Sequence, residues 1–148
     1  MSDQKIALGS DHAGYVLKQQ IRDYLVKEGY EPVDYGTDSE DSTDYPDHIH
    51  PLARDIDRGT LRRGIILCGS GNGVSMTANK YQGVRAALCW TPVIARLARA
   101  HNDANILALP ARHISKEDAL EAVRQFLNTP FEGGRHQKRV LKIQCPDR

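Results

Sequence analysis

The residues best suited to chemistry stand together in Cys68–Gly73, CGSGNG, directly after the apolar run Gly64–Leu67. Glycines let several backbone N–H groups point into one small volume, and a helix that follows adds its positive end. Such a loop cradles an anion. It is not a Walker loop, because no Gly-Lys-Ser/Thr follows, and its GxGxG spacing falls short of a dinucleotide fingerprint. A thiol beside such donors is favoured as its thiolate. One use of a thiolate is attack on phosphorus, as in cysteine phosphatases. That chemistry needs an arginine six residues after the cysteine, where this chain has Val74. Another use is to remove a proton from carbon beside a carbonyl, with the cradle holding the enediolate oxygen. The plain alternative is a buried cysteine that packs as a small hydrophobe before a glycine-rich turn. For Cys89 and Cys145, which lack such a loop, the plain alternative is preferred.

Three further stretches carry polar groups. SDHAG places Asp11 and His12 before a helical pattern. Asp11 suits a helix cap, and His12 can donate to a hydroxyl or a phosphate. AHND places His101 and Asn102 after a helix, where histidine commonly stabilises the C-terminus. GGRHQKR sets Arg135 and Arg139 four apart, on one helix face. Guanidinium forks at that spacing suit a phosphate, although the basic run Arg135–Lys142 also reads as a solvated face.

These groups need elements to position them. Short apolar runs at Lys5–Gly9, Glu31–Tyr35, Gly64–Cys68, Val84–Leu88 and Ile106–Leu109 read as strands. Between them lie helical patterns. The first has Val16, Leu17, Ile21, Tyr24 and Leu25 on one face and closes at Gly29. Others run from Pro46 to Gly59, from Gly73 to Lys80 and from Pro92 to Ala100, and one is capped by Ser115. Residues 129–134 break the pattern before a last helix or arm. Apolar strands alternating with helices predict a parallel sheet covered on both faces, a three-layer α/β fold. Ligands of such folds bind beyond the carboxyl ends of the strands. SDHAG, CGSGNG and PARH all follow strands, so they are expected to converge.

The totals narrow the function classes. A chain of 148 residues suits one domain, 1–148, with 131–148 as a C-terminal arm. A net charge of +1 points to neither nucleic acid nor a membrane surface. No apolar run approaches the ~18 residues of a membrane span. Three cysteines and a polar N-terminal MSDQKIALG suggest a reducing cytoplasm rather than a disulfide framework. Neither CxxC nor HExxH occurs, so no metal motif is legible.

Taken in order, GSDHAG, TDYP, CGSGNGVSMTANK, RAALCW, ARAHNDANILALPAR and FEGGRHQKRV resemble the ribose-5-phosphate isomerase B family, over nearly the whole chain. That group also holds allose-6-phosphate and galactose-6-phosphate isomerases. The resemblance implies a five-stranded Rossmann-like fold and a homodimer, often paired into tetramers, with sites shared between subunits. It implies interconversion of D-ribose 5-phosphate and D-ribulose 5-phosphate without a metal or organic cofactor. Cys68 then matches the base, Ser70 an assisting hydroxyl, and His101 the acid that opens the sugar ring. Gly69, Gly71, Asn72 and Gly73 match the loop that holds the enediolate. Asp11, His12, Tyr45 and Asn102 match residues lining the sugar, and Arg112, Arg135 and Arg139 match phosphate ligands. Some members lack the cysteine and carry a glutamate base where this chain has Val74, so the resemblance is to the cysteine branch. A phosphate-binding module without chemistry is the alternative of another class, and it should tolerate Cys68→Ser.

Overall fold

The computed structural model describes residues 2–146. Strands β1 (Lys5–Ser10), β2 (Glu31–Asp34), β3 (Gly64–Cys68), β4 (Ala86–Leu88) and β5 (Ile106–Pro110) form one parallel sheet, in the order β2-β1-β3-β5-β4. Helices α1 (Tyr15–Lys27), α2 (Tyr45–Asp57), α3 (Asn72–Ala78), α4 (Pro92–Asn102), α5 (Lys116–Asn128) and α6 (Arg135–Leu141) complete the described chain. Every residue of β3 and β5 is buried. Strands covered on both faces need no polar alternation, which is why these read as continuous apolar runs.

The core is split by the sheet. On one face Leu17, Ile21 and Leu25 of α1 and Val123 and Phe126 of α5 pack with Ile65, Leu67, Leu107 and Leu109. On the other, Ile49, Leu52 and Ile56 of α2 and Val74 and Ala78 of α3 pack with Ala7, Ile66 and Ala108. Helix starts follow local chemistry. Thr91 Oγ1 accepts the Ile94 N–H at 3.2 Å before Pro92, and Ser115 Oγ accepts the Asp118 N–H at 3.1 Å.

Several sequence expectations need correction. Val16 is half exposed rather than core, while Lys18, two residues on, is completely buried. Lys18 can be buried because its Nζ donates to both carboxylate oxygens of Asp34 at 2.7 Å. β4 starts at Ala86, not Val84, because the Arg85 N–H donates to the side-chain Oδ1 of Asn105 at 2.7 Å instead of to a strand carbonyl. α3 begins at Asn72 and ends at Ala78. α4 runs two residues past Ala100, so His101 and Asn102 form its last turn rather than following it.

Breaking a buried ion pair costs about 3–5 kcal/mol. The Asp34 carboxylate is 31% exposed. Asp34→Ala should therefore fall at the low end, about 3 kcal/mol by urea unfolding. Lys18→Met, which removes the buried charge and keeps the volume, should cost less. An Asp34→Ala midpoint equal to that of the wild type would show that the pair contributes nothing.

Candidate active site

From β1 the chain leaves toward one edge of the sheet, to β2, and from β3 it leaves toward the other. The crevice between their carboxyl ends is therefore the switch point at which such sheets bind ligands. A cavity of about 610 Å³ opens there. It is lined by Asp11, His12 and Ala13 after β1, by Cys68, Gly69, Ser70 and Gly73 after β3, and by Arg112 and His113 after β5. Ser42, Thr43, Asp44 and Tyr45 close it from the start of α2. The three strand-end stretches converge as the parallel sheet requires.

Several lining groups are held by specific bonds. Asp11 Oδ1 accepts the N–H groups of Ala13 and Gly14 at 3.0 and 3.2 Å, capping a single 3₁₀ turn. His12 Nδ1 accepts the Thr43 N–H at 3.2 Å. A neutral ring that accepts at Nδ1 carries its proton on Nε2 and can donate it. Beyond β3 and β5 the Ala111 N–H donates to Cys68 O at 2.9 Å and the Arg112 N–H to Gly69 O at 3.0 Å. These bonds lay the Arg112 side chain over Gly69, where a Cβ would come within 3.2 Å of Nη1. Cys68 is buried and in a free thiol state. Cys89 shows the contrast: burial in the core pushes its thiol up to about 12, as befits an inert side chain.

The loop itself demands glycine at two places. Gly71 has φ +79°, and a Cβ there would lie 2.4 Å from Leu88 Cδ1. Gly73 leaves the space taken by the Tyr45 ring, whose Cζ would lie 2.4 Å from a Cβ. Ser70 Oγ accepts the Asn72 N–H at 3.2 Å. The N–H groups of Gly73 and Val74, in the first turn of α3, have no carbonyl four residues back within the helix to bond.

His101, Asn102, Arg135 and Arg139 do not join this cavity. Gly71 and Asn72 belong to the loop but turn away from the lining, and Asn72 is exposed. α4 starts at the carboxyl end of the sheet and carries His101 and Asn102 back to the amino end, about 16 Å away by helix rise. There the His101 and His136 rings stack at 4.3 Å with 10° between planes. Both Nε2 atoms face Glu132 Oε1, at 3.8 and 3.7 Å. Burial, then the neighbouring His101 and Arg135, hold the His136 imidazole below the usual histidine range. Arg135 and Arg139 are exposed beside it on α6. Among the described residues, Arg112, Arg135 and Arg139 make no ion pair with a carboxylate.

A second cavity, of about 660 Å³, is lined by Arg62, Arg63, Arg85 and Arg99. Its arginines are largely committed to backbone oxygens: Arg63 to Leu127 and Asp3, Arg85 to Asp103, Arg99 to Thr129 and Ala104. It braces the amino end of the sheet.

The Ribose/Galactose Isomerase model matches residues 6–143. The chain belongs to this family. Ribose-5-phosphate isomerase B of Escherichia coli is 44% identical over 140 residues, covering 95% of this chain and 94% of that one. The solved ribose 5-phosphate isomerase of Thermotoga maritima is 51% identical, with a TM-score of 0.92 over 95% of this chain and 97% of that one. The Mycoplasma genitalium enzyme, solved with bound ribulose-5-phosphate, is 40% identical, with a TM-score of 0.90 over 94% and 93%.

Sequence reasoning missed His113, Thr43 and His136 as members of the two clusters. His113 ends PARH and His136 sits inside GGRHQKR, so both lay within noted stretches. Thr43 contributes a backbone N–H, which no residue type advertises. Two glycines at positive φ separate conformation from contact. Gly59, at φ +77°, has nothing within 4 Å of a Cβ. Gly59→Ala should cost about 1–2 kcal/mol for the left-handed backbone. Gly71→Ala should cost about 1–3 kcal/mol more for the collision with Leu88. Equal losses by urea unfolding would refute the steric role of Gly71.

Proposed function

We propose that this protein interconverts D-ribose 5-phosphate and D-ribulose 5-phosphate, as one isomerase unit spanning 1–148 and working as a homodimer that can pair into a homotetramer. The observation that carries the reading is the thiol of Cys68 at the foot of the Gly69–Gly73 loop, in one cavity with Asp11, His12, Tyr45 and Arg112. Relatives from Escherichia coli, Thermotoga maritima and Mycoplasma genitalium with this name support the pentose substrate. The six-carbon alternatives, allose 6-phosphate and galactose 6-phosphate, would need room for one more carbon. Three free cysteines suit a reducing compartment such as the cytoplasm.

In this reading the open-chain aldose lies with its carbonyl end at Cys68. The thiolate takes the proton from C2, and electron density moves through C1 onto O1. N–H groups of the Gly69–Gly73 loop receive that charge, and they count because they are already oriented. The proton held by sulfur goes to C1. The hydroxyl proton moves from O2 to O1, a transfer assigned to Ser70, and C2 becomes the carbonyl. His12 and Asp11 hold sugar hydroxyls, with Asn102 and the Tyr45 ring beside them. Arg112, Arg135 and Arg139 hold the phosphate, and His101 protonates the ring oxygen as the furanose opens.

These roles require both clusters in one place, yet within one chain they lie at opposite ends of the sheet. A second copy resolves this if a two-fold axis brings its His101, Asn102, Arg135 and Arg139 over the Cys68 cavity. The exposed Arg135 and Arg139, which pair with no carboxylate among the described residues, support that arrangement.

Cys68→Ala should lose nearly all kcat on ribose 5-phosphate with KM little changed, because the lost group acts in the transition state. Near-full turnover in Cys68→Ala would refute the thiol as the base, whereas no turnover by the wild type would leave only a phosphate-binding module. Mixing the inactive Cys68→Ala and His101→Ala chains should restore about a quarter of the wild-type rate. Half of randomly assorted dimers are mixed, and each mixed dimer has one intact site of two. No recovery on mixing and subunit exchange would refute the shared site.

A further inference from the structure

The cluster at the end of α4 contains more than an acid and two phosphate ligands. His101, Glu132 and His136 each offer one atom, and these atoms lie within 4.8 Å of one another. The backbone is already set for them. The Glu132 N–H donates to Ala100 O in the last turn of α4 at 3.0 Å, and the His136 N–H donates to Gly133 O at 3.0 Å. The stacked rings turn the same edge toward the carboxylate. Ligand atoms of a tetrahedral zinc site stand about 3.3 Å apart, given bonds of about 2.0–2.1 Å. Glu132 Oε1 is already 3.8 and 3.7 Å from the two nitrogens, and because the lone pairs of parallel rings do not converge, one imidazole must turn out of the stack for all three atoms to share an ion.

We propose that a zinc-class divalent ion binds His101 Nε2, Glu132 Oε1 and His136 Nε2, and that it inhibits the enzyme reversibly by occupying the nitrogen His101 needs. The second half rests on the role given to His101 above. The ion is an inhibitor here, with no step of the isomerisation routed through it. Two imidazoles select zinc, cobalt, nickel or copper over magnesium and calcium. Three protein ligands leave an open coordination position for water or a sugar oxygen. Arg135 and Arg139 repel a cation, which makes the site weaker than a structural zinc site and the ion exchangeable.

The test is a Co²⁺ titration of the full-length protein, read by its visible absorption, followed by displacement with Zn²⁺. One Co²⁺ per chain is expected, without the near-ultraviolet band of a thiolate–cobalt bond. Outer partners of metal ligands alone are worth roughly 10–100-fold in affinity, so Glu132→Ala should weaken binding at least about tenfold. His136→Gln should do the same. The Glu132 side chain is 57% exposed, so its loss leaves the fold intact. No bands, bands with a thiolate component, or bands unchanged in Glu132→Ala overturn the site and leave the isomerase reading untouched. Zn²⁺ should also inhibit the wild type competitively with ribose 5-phosphate, while Glu132→Ala stays active and loses that sensitivity. Binding without inhibition overturns the blocking role and, with it, the place of His101 in the reaction.

Discussion

Two backbone hydrogen bonds carry the β3–β5 ladder past the last residues of both strands: Ala111 N–H to Cys68 O and Arg112 N–H to Gly69 O. The thiol and guanidinium side of the cavity depends on them. They stop the thiol from swinging with its loop, because Cys68 keeps a partner on its carbonyl side. They also place a guanidinium over a residue that has no side chain. A parallel sheet makes this possible, since neighbouring strands end at the same edge and their loops leave together. An antiparallel pair would send one of these loops to the far side.

The same geometry divides the labour between the two ends of the molecule. Short loops at the carboxyl ends collect the thiol, Asp11, His12 and Arg112. The return of α4 carries His101 the length of the sheet in the other direction. No side chain spans that distance. That separation, set by the length of α4, is what the proposed second copy would bridge.

Much of the fold was legible because each signal was local. Continuous apolar runs marked β3 and β5, Pro92 marked the start of α4, and Ser115 marked α5. Convergence of SDHAG, CGSGNG and PARH followed from the parallel sheet without any knowledge of side-chain positions. Other features depended on partners far along the chain. The apolar pattern put Val16 in the core and passed over Lys18, whose burial depends on the counter-charge of Asp34, 16 residues on. The late start of β4 depended on an asparagine side chain 20 residues away. His101 and His136 meet only because the turn after α5 is bonded back to Ala100. The roles of the site residues came from the family likeness. Local reasoning alone left Cys68 undecided between a base and a packed thiol.

Trp90, the single tryptophan of the chain, stacks on His113 with ring centroids 5.3 Å apart. His113 in turn lines the Cys68 cavity. An imidazole in contact with an indole quenches its emission, more strongly when the imidazole is protonated. All tryptophan light from this protein thus comes from a fluorophore one residue removed from the cavity. Its emission is therefore expected to respond to changes at His113, a label-free readout of the cavity.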